Sequence, residues 1–173
     1  MKVYTRSGDS GETNLLFGGR VSKNDPRPTA CGAIDEANSA LGMARAVSTD
    51  ETVRTRITHV QRELFVVGVE LATSTEHREM LEKDSGVVTS DMTARLESWI
   101  DEIDSKIELP NEFILPGGSP ASAAIDLART VVRRAERDVV GLQHDHLLAN
   151  DEILRYLNRL SDFLFMLGRY EDR

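Results

Sequence analysis

Charged side chains between residues 129 and 137 have the spacing of an anion-binding helix face. At about 100° per residue, Arg129, Arg133 and Glu136 fall within roughly 60° of one another on a helical wheel. Arginines four residues apart repel each other in an isolated helix, usually by a few tenths of a kcal/mol. Their pairing therefore favours a nearby anion, such as a phosphate chain or a facing carboxylate. The alternative is a solvated basic face with local Arg–Glu pairs.

A polar segment near the N-terminus has the composition of a phosphate-binding loop. Residues 5–14 read T-R-S-G-D-S-G-E-T-N. Glycines, hydroxyls and an arginine suit a loop whose backbone N–H groups curl around phosphate. The segment is not a P-loop, because no Gly-Lys-Ser/Thr follows at the required spacing. The alternative for this segment is a flexible N-terminal arm.

A rigid apolar turn leads into the arginine-rich helix. Residues 113–118 read F-I-L-P-G-G, and Ser119 and Pro120 follow as a predicted N-cap and first helical residue. Two interpretations of Phe113 stay open at this point. Its ring either fills a gap in the core or faces a ligand.

The elements that must position these residues are helices with apolar seams, spaced alternately three and four residues apart. The spacing predicts helices over residues 31–46 and 51–72, from an N-cap at Ser90 through a seam ending at Ile107, from Pro120 onwards, and over 151–169. Val3 and Tyr4 suggest a short strand-like arm. Seams of this kind pack helices nearly antiparallel, at about 20°. We therefore expect an all-α, five-helix bundle in one domain over residues 1–173, with an extended N-terminal arm (1–30) and the helical bundle (31–173).

Composition excludes several classes of function. The chain has 173 residues and a net charge of −8, which disfavours non-specific binding to nucleic acid or to anionic membranes. It has no apolar stretch of membrane-spanning length and a single cysteine, Cys31, so we expect a cytoplasmic protein. None of its four histidines has a glutamate three residues before it, so the Glu-x-x-His pairs of di-iron bundles are absent.

Six motifs in order along the chain together resemble a known family. They are residues 5–13 (T-R-S-G-D-S-G-E-T), 21–25 (V-S-K-N-D), 32–39 (G-A-I-D-E-A-N-S), 113–118 (F-I-L-P-G-G), 129–137 (R-T-V-V-R-R-A-E-R) and 156–162 (Y-L-N-R-L-S-D). This set closely resembles the PduO-type ATP:cob(I)alamin adenosyltransferases, also called corrinoid adenosyltransferases. The resemblance spans essentially the whole chain. Ser7 and Asn24 depart from the threonine and aspartate usual in the family, and both keep polar chemistry.

The resemblance implies an assembly and a reaction. It implies a homotrimer of five-helix bundles with active sites between subunits, and an N-terminal loop that binds nucleotide. The reaction transfers the 5′-deoxyadenosyl group of ATP to the cobalt of cob(I)alamin, which gives adenosylcobalamin and inorganic triphosphate. ATP, cob(I)alamin or its cob(II)alamin precursor, and Mg²⁺ are the implied small molecules. A flavin reductase and a cobalamin-dependent mutase are the candidate partner proteins.

The resemblance also implies roles for individual residues. The loop over the triphosphate is matched by Thr5, Arg6, Ser7, Gly8, Gly11, Thr13 and Asn14, and the phosphate-contacting lysine by Lys23. The nucleotide-binding stretch and its asparagine are matched by Arg133, Arg134, Ala135, Glu136, Arg137 and Asn158.

The reaction centre has implied residues of its own. The catalytic set is Asp35, Phe113, Arg129, Arg133 and Glu136. Within it, Asp35 and Arg129 match a charged pair that bridges subunits, Phe113 matches an aromatic ring beneath the corrin, and Glu136 lies near Mg²⁺ or the nucleotide. Two other functions stay open: a nucleotide-binding sensor or carrier without turnover, and a structural helical oligomer. Three separate phosphate-compatible segments argue against the second.

Overall fold

Helices make up most of the computed structural model, which describes residues 4–84 and 86–173, with side chains for all of these except 82–84. The helices in this part are α1 (Pro26–Val47), α2 (Glu51–Leu71), α3 (Arg78–Asp84), α4 (Ser90–Asp104), α5 (Pro120–His144) and α6 (Glu152–Glu171). A single 3-10 turn (Thr75–His77) precedes α3, and a short antiparallel hairpin precedes α1. The hairpin strands are β1 (Glu12–Asn14) and β2 (Arg20–Ser22).

The five long helices form the predicted bundle. Helix α1 packs against α2 and α5, and α6 packs against α5 and α4. The apolar seams meet in a single core; on α5 the seam comprises Ile125, Ala128, Val132, Ala135, Val139 and Leu142, all fully buried. The all-α five-helix prediction is confirmed, with the seven-residue α3 added between α2 and α4.

Helix α1 begins earlier than predicted. Its first residue is Pro26, and the Asp25 side chain caps the helix by accepting a hydrogen bond from the Arg27 backbone N–H at 3.0 Å. Proline suits the first helical turn because its missing N–H has no partner there anyway. The predicted start at residue 31 was therefore wrong, and the last residues of the predicted arm belong to the bundle.

The other helix ends differ by smaller amounts. The N-cap of α4 is Thr89 rather than Ser90, and the Thr89 side chain makes no capping hydrogen bond. Helix α4 ends at Asp104, so Ile107 continues the seam from the following turn, where its N–H donates to the Ile103 carbonyl at 3.2 Å. Of the predicted strand-like arm, Val3 lies outside the described residues and Tyr4 is not in a strand.

The hairpin is attached to the end of α2. The Leu16 N–H donates to the Ala72 carbonyl at 2.9 Å, and Leu16 forms a parallel bridge with Thr73. The arm therefore lies against the bundle rather than extending away from it. Within the described part of the chain, no helix combines the length and the apolar character needed to cross a bilayer.

Candidate functional site

The N-terminal loop is organised by its own hydroxyls and by one arginine. The Thr5 and Ser7 hydroxyls lie 2.7 Å apart. The Arg20 guanidinium donates to the Ser7 carbonyl at 2.6 Å and to the Ser10 hydroxyl at 3.2 Å, and it pairs with Glu12 at 2.9 Å. Strand β2 therefore holds the loop in a curve, with Thr5, Arg6 and Ser7 exposed to solvent.

Lys23 lies directly over this loop. Its backbone N–H donates to the Gly11 carbonyl at 2.8 Å. Its ammonium nitrogen would be only 3.1 Å from a Cβ added at Gly8, so a side chain at that position would displace the lysine. Gly11 has a φ of +82°, a conformation that favours glycine. The structure thus brings the predicted loop and the predicted lysine together, with Thr13 and Asn14 on the neighbouring strand β1.

The arginine-rich part of α5 lies beside α1 and α6. Arg134 forms an ion pair with Glu36 on α1, and the Asn158 amide on α6 donates to the Glu136 carboxylate at 3.0 Å. The Asn158 side chain is exposed, so its amide stays accessible while it contacts the neighbouring helix. Three helices therefore present polar groups to one surface.

Arg133 is the free cation of this surface. Its side chain is exposed, and its guanidinium has no hydrogen-bond or ion-pair partner among the described residues. Only its carbonyl is used, accepting a bond from Arg137 at 3.1 Å. Ala135, in contrast, is fully buried in the core, because it belongs to the α5 seam. Its side chain is therefore not available to a nucleotide, although it lies inside the predicted nucleotide-binding stretch.

Arg129 is held by a carboxylate of its own helix. Its Nε lies 3.2 Å from Asp126, which is 4% exposed and also accepts a bond from Arg169 at 2.5 Å. Asp35 is exposed on α1 and is not paired with Arg129 within the chain. Asp126 was missed by the sequence analysis, although its spacing of three residues before Arg129 is that of a helical ion pair.

Phe113 does not fill a gap in the core. It is fully exposed, in the segment that connects α4 to α5, and Leu115 beside it is nearly so. Of the two interpretations of this ring, the core plug is therefore excluded. Large apolar side chains exposed close together in one segment are typical of an interaction site.

The predicted residues fall into separate groups within one chain. Thr5 to Asn14 and Lys23 lie together, as do Arg133, Arg134, Glu136, Arg137 and Asn158. Within the described ranges, no hydrogen bond or ion pair joins the first group to the second. Arg20 and Glu36 support these groups and were not predicted; Glu36 adjoins a predicted residue, whereas Arg20 carries no sequence signal that we recognise.

The described residues include neither a thiolate nucleophile nor a complete metal site. Burial raises the pKa of the Cys31 thiol to about 11, so it stays protonated near neutral pH. Across the part of the chain that the structure describes, no three His, Cys, Asp or Glu side chains cluster as metal ligands. What the surface offers is charge and hydrogen-bond donors for a polyanion.

Comparison with known proteins gives one consistent result. A family model described as cobalamin adenosyltransferase matches residues 3–171. The corrinoid adenosyltransferase PduO of Salmonella typhimurium is 40% identical over 99% of this chain, which spans only 50% of that relative's length. The corrinoid adenosyltransferase of Mycobacterium leprae is 39% identical over 97% of this chain and 90% of the relative.

Solved structures give the same result. A phenylalanine-to-histidine variant of a PduO-type ATP:corrinoid adenosyltransferase from Lactobacillus reuteri, complexed with cobalamin and ATP, aligns with a TM-score of 0.90. It is 34% identical, and the alignment covers 99% of this chain and 91% of that one. An arginine-to-lysine variant from the same organism, complexed with ATP, aligns with a TM-score of 0.89 over 98% and 94% of the two chains.

Proposed function

The chain belongs to the cobalamin adenosyltransferase family, and we propose that it transfers the 5′-deoxyadenosyl group of ATP to the cobalt of cob(I)alamin. The observation that carries the proposal is that each of the two groups of site residues holds a cation without an ion-pair partner. Arg133 on α5 and Lys23 on the arm have exposed side chains with no ion-pair partner among the described residues, in a chain of net charge −8. Lys23 lies beside a curved loop rich in hydroxyls, and cations without ion-pair partners suit a triphosphate.

The chemistry needs positioning more than it needs an activated side chain. Cob(I)alamin is itself a strong nucleophile: its cobalt lone pair attacks C5′ of ATP, the Co–C bond forms, and the C5′–O bond breaks. The bonding electrons leave with the triphosphate. The protein must hold C5′ in line with cobalt and neutralise the departing charge. In the proposal, the departing charge is neutralised by Lys23, Arg133 and the N-terminal loop. The nucleotide is oriented by Asn158 and Glu136.

Mg²⁺ fits this site as a companion of the nucleotide. Mg²⁺ is usually held by one or two carboxylates together with substrate phosphates. Glu136 offers one carboxylate beside the free guanidinium of Arg133, which matches that pattern. When bound, the ion would offset part of the triphosphate charge, with Glu136 as its protein ligand.

The exposed ring of Phe113 suits the lower face of the corrin. Cob(I)alamin must be made from cob(II)alamin, whose cobalt is stabilised by water or a base on that face. An apolar ring there excludes the ligand and makes the one-electron reduction easier. The electron must come from a donor, for which a flavin reductase is the candidate, and a cobalamin-dependent mutase is the candidate acceptor of the product.

A trimer with sites between subunits would join the two groups of site residues that are separate in one chain. Asp35 is exposed on α1, while Arg129 is oriented by Asp126 and keeps part of its guanidinium accessible. We place the Asp35–Arg129 pair across that subunit boundary. The single cysteine also fits the reducing cytoplasm as its location.

The first test is the reaction itself. Protein mixed with ATP, Mg²⁺ and chemically reduced cobalamin should convert the cob(I)alamin spectrum to that of adenosylcobalamin, with release of inorganic triphosphate. ATP or adenosylcobalamin binding without turnover would favour a sensor or carrier instead. Absence of both binding and turnover would leave a structural oligomer.

The second prediction concerns the free cations. Arg133→Ala and Lys23→Ala should each lower kcat/KM for ATP by at least about 30-fold, because a charged donor to a desolvated phosphate is commonly worth about 2–5 kcal/mol. The matched control is Arg155→Ala, an exposed arginine on α6 that pairs only with Glu152 among the described residues. Unchanged kinetics in both variants, with circular dichroism showing intact helices in all three, would refute the assignment.

The third prediction concerns the subunit boundary. Removing either Asp35 or Arg129 should weaken the trimer, because an ionic group left without its partner at a buried boundary costs about 3–5 kcal/mol. Sedimentation velocity over a range of concentrations measures the loss. Glu51→Ala, at an exposed site on α2, should have no effect. A fully active wild-type monomer would contradict the proposal.

The fourth prediction concerns Phe113. Because the ring is already exposed, Phe113→Ala should change the free energy of unfolding by no more than about 0.5 kcal/mol. Phe163→Ala, at a fully buried ring on α6, should cost about 3–5 kcal/mol in comparison. Adenosylation from cob(II)alamin should fall much more than adenosylation from pre-reduced cob(I)alamin.

The spectrum of bound cob(II)alamin provides the decisive readout for Phe113. It should shift from four-coordinate towards five-coordinate in Phe113→Ala, as water or the base enters the vacated space. An unaltered spectrum with equal loss of both activities would show that the ring does not face the corrin.

A further inference from the structure

Three consecutive carbonyls at the end of α2 are used by the N-terminal part of the chain. The carbonyls of Leu71 and Thr73 accept hydrogen bonds from Nη1 of Arg27, at 3.2 and 3.0 Å. The carbonyl between them, of Ala72, accepts the N–H of Leu16 at 2.9 Å. Carbonyls in the last turn of a helix have no partner within the helix. Here all three accept hydrogen bonds from the N-terminal part of the chain, two from Arg27 after the hairpin and one from Leu16 in the hairpin turn.

Arg27 is a buried cation that rests on backbone alone. It is 6% exposed, and no carboxylate pairs with it among the described residues. Burial lowers the pKa of its guanidinium, although an arginine remains charged in proteins. The partial negative charge at the C-terminal end of α2 compensates part of this cost. Asp25 also stabilises the charge through space without forming an ion pair, so the direct contacts of the guanidinium are to backbone carbonyls.

A third hydrogen bond of Arg27 reaches the connection between the two helices that carry the arginine-rich surface. Nη2 of Arg27 donates to the Leu147 carbonyl at 2.6 Å, in the connection between α5 and α6. Helix α5 carries Arg133, and α6 carries Asn158. One guanidinium thus joins the start of α1, the end of α2 and the α5–α6 connection, and it does so only four residues after Lys23.

We propose that Arg27 is the positioning residue of the N-terminal arm. The hairpin is held at its turn by Leu16 and leaves β2 through Lys23 into α1, and both points are attached to the same segment, residues 71–73. Arg27 fixes the exit from the hairpin, and Leu16 fixes its turn. This inference rests on the proposed function, because it assigns the arm's attachment a part in binding ATP rather than cobalamin.

The positions of these carbonyls explain why neither lysine nor methionine can replace arginine at position 27. The two guanidinium nitrogens face carbonyls on two different elements, and a single ammonium nitrogen cannot occupy both positions. Arg27→Lys therefore keeps the charge and loses part of the attachment, whereas Arg27→Met keeps the bulk and loses all of it. We expect the effect on the arm to be graded, with Arg27→Met more severe than Arg27→Lys.

The kinetic test separates the two substrates. In Arg27→Met the KM for ATP should rise about tenfold or more, while kcat at saturating ATP and the KM for cob(I)alamin stay within about threefold, the pattern of lost binding without lost transition-state contact. The matched control is Arg56→Met, which removes an equally buried arginine that pairs with Glu102 on α4. It should lower the melting temperature without changing the KM for ATP.

A ligand-free measurement tests the attachment independently of the reaction. Amide hydrogen exchange in residues 5–23 should be faster in Arg27→Met and intermediate in Arg27→Lys, with α4 and α6 unchanged. Arg56→Met should leave exchange in the arm as in the wild type. If Arg27→Met does not fold, amide exchange in the arm of Arg27→Lys, compared with that of the wild type, still tests the attachment.

Several results would overturn the role of Arg27. One is arm exchange that is equally fast in the Arg27 and Arg56 variants, and another is faster exchange with an unchanged KM for ATP. Equal increases in the KM values of both substrates would also overturn it. A wild-type protein that exchanges as described but does not adenosylate cobalamin would refute the proposed function and leave the attachment standing.

Discussion

Helix α5 is packed through its apolar seam against α1 and α6, and this packing sets the direction of every charged side chain on the helix. With Val132 and Ala135 fully buried, residues 133 and 134 must point outwards, because successive residues are about 100° apart. The outward-pointing side chains of α5 then contact polar side chains of α1 and α6, Glu36 and Asn158. A helix rotated by one residue would bury an arginine and expose part of the seam, at a cost far above the energy of any surface ion pair.

Apolar periodicity was enough to predict the five long helices but not where the first one begins. The seam of α1 is clear from Ile34 onwards, and the turn before it contains Pro26, Arg27 and Pro28, residue types that rarely fill a core. The start depends on the Asp25 cap and on a buried Arg27 held by backbone carbonyls of other elements. Such partners are distant in sequence, so local pattern cannot reveal them. The seven-residue α3 is too short to develop a full seam.

The same limit applies to the candidate site. Periodicity predicted that Arg133 and Glu136 share a flank, but the partners of that flank depend on how α1 and α6 are rotated about their axes. Glu36 pairs with Arg134 in the same chain, whereas Asp35, one residue and about 100° away, is left exposed. Adjacent carboxylates in one motif therefore have different surroundings, and only tertiary structure distinguishes them. Family resemblance supplied the rest of the predicted set.

The arginines of this chain differ in whether their guanidinium groups have partners, and this difference decides which of them is available to bind an anion. Where a guanidinium is buried, as at Arg27 and Arg56, carbonyls or a carboxylate accept its hydrogen bonds. Leaving such a group without partners would cost several kcal/mol. The exposed guanidinium of Arg133 carries no such cost, because water solvates it, but in a chain of net charge −8 there are enough carboxylates to pair with it. Its freedom is therefore a property of its position, since neighbouring carboxylates at Glu36 and Glu136 are already engaged by Arg134 and Asn158. That arrangement keeps one cation available to an incoming anion while its surroundings stay ordered.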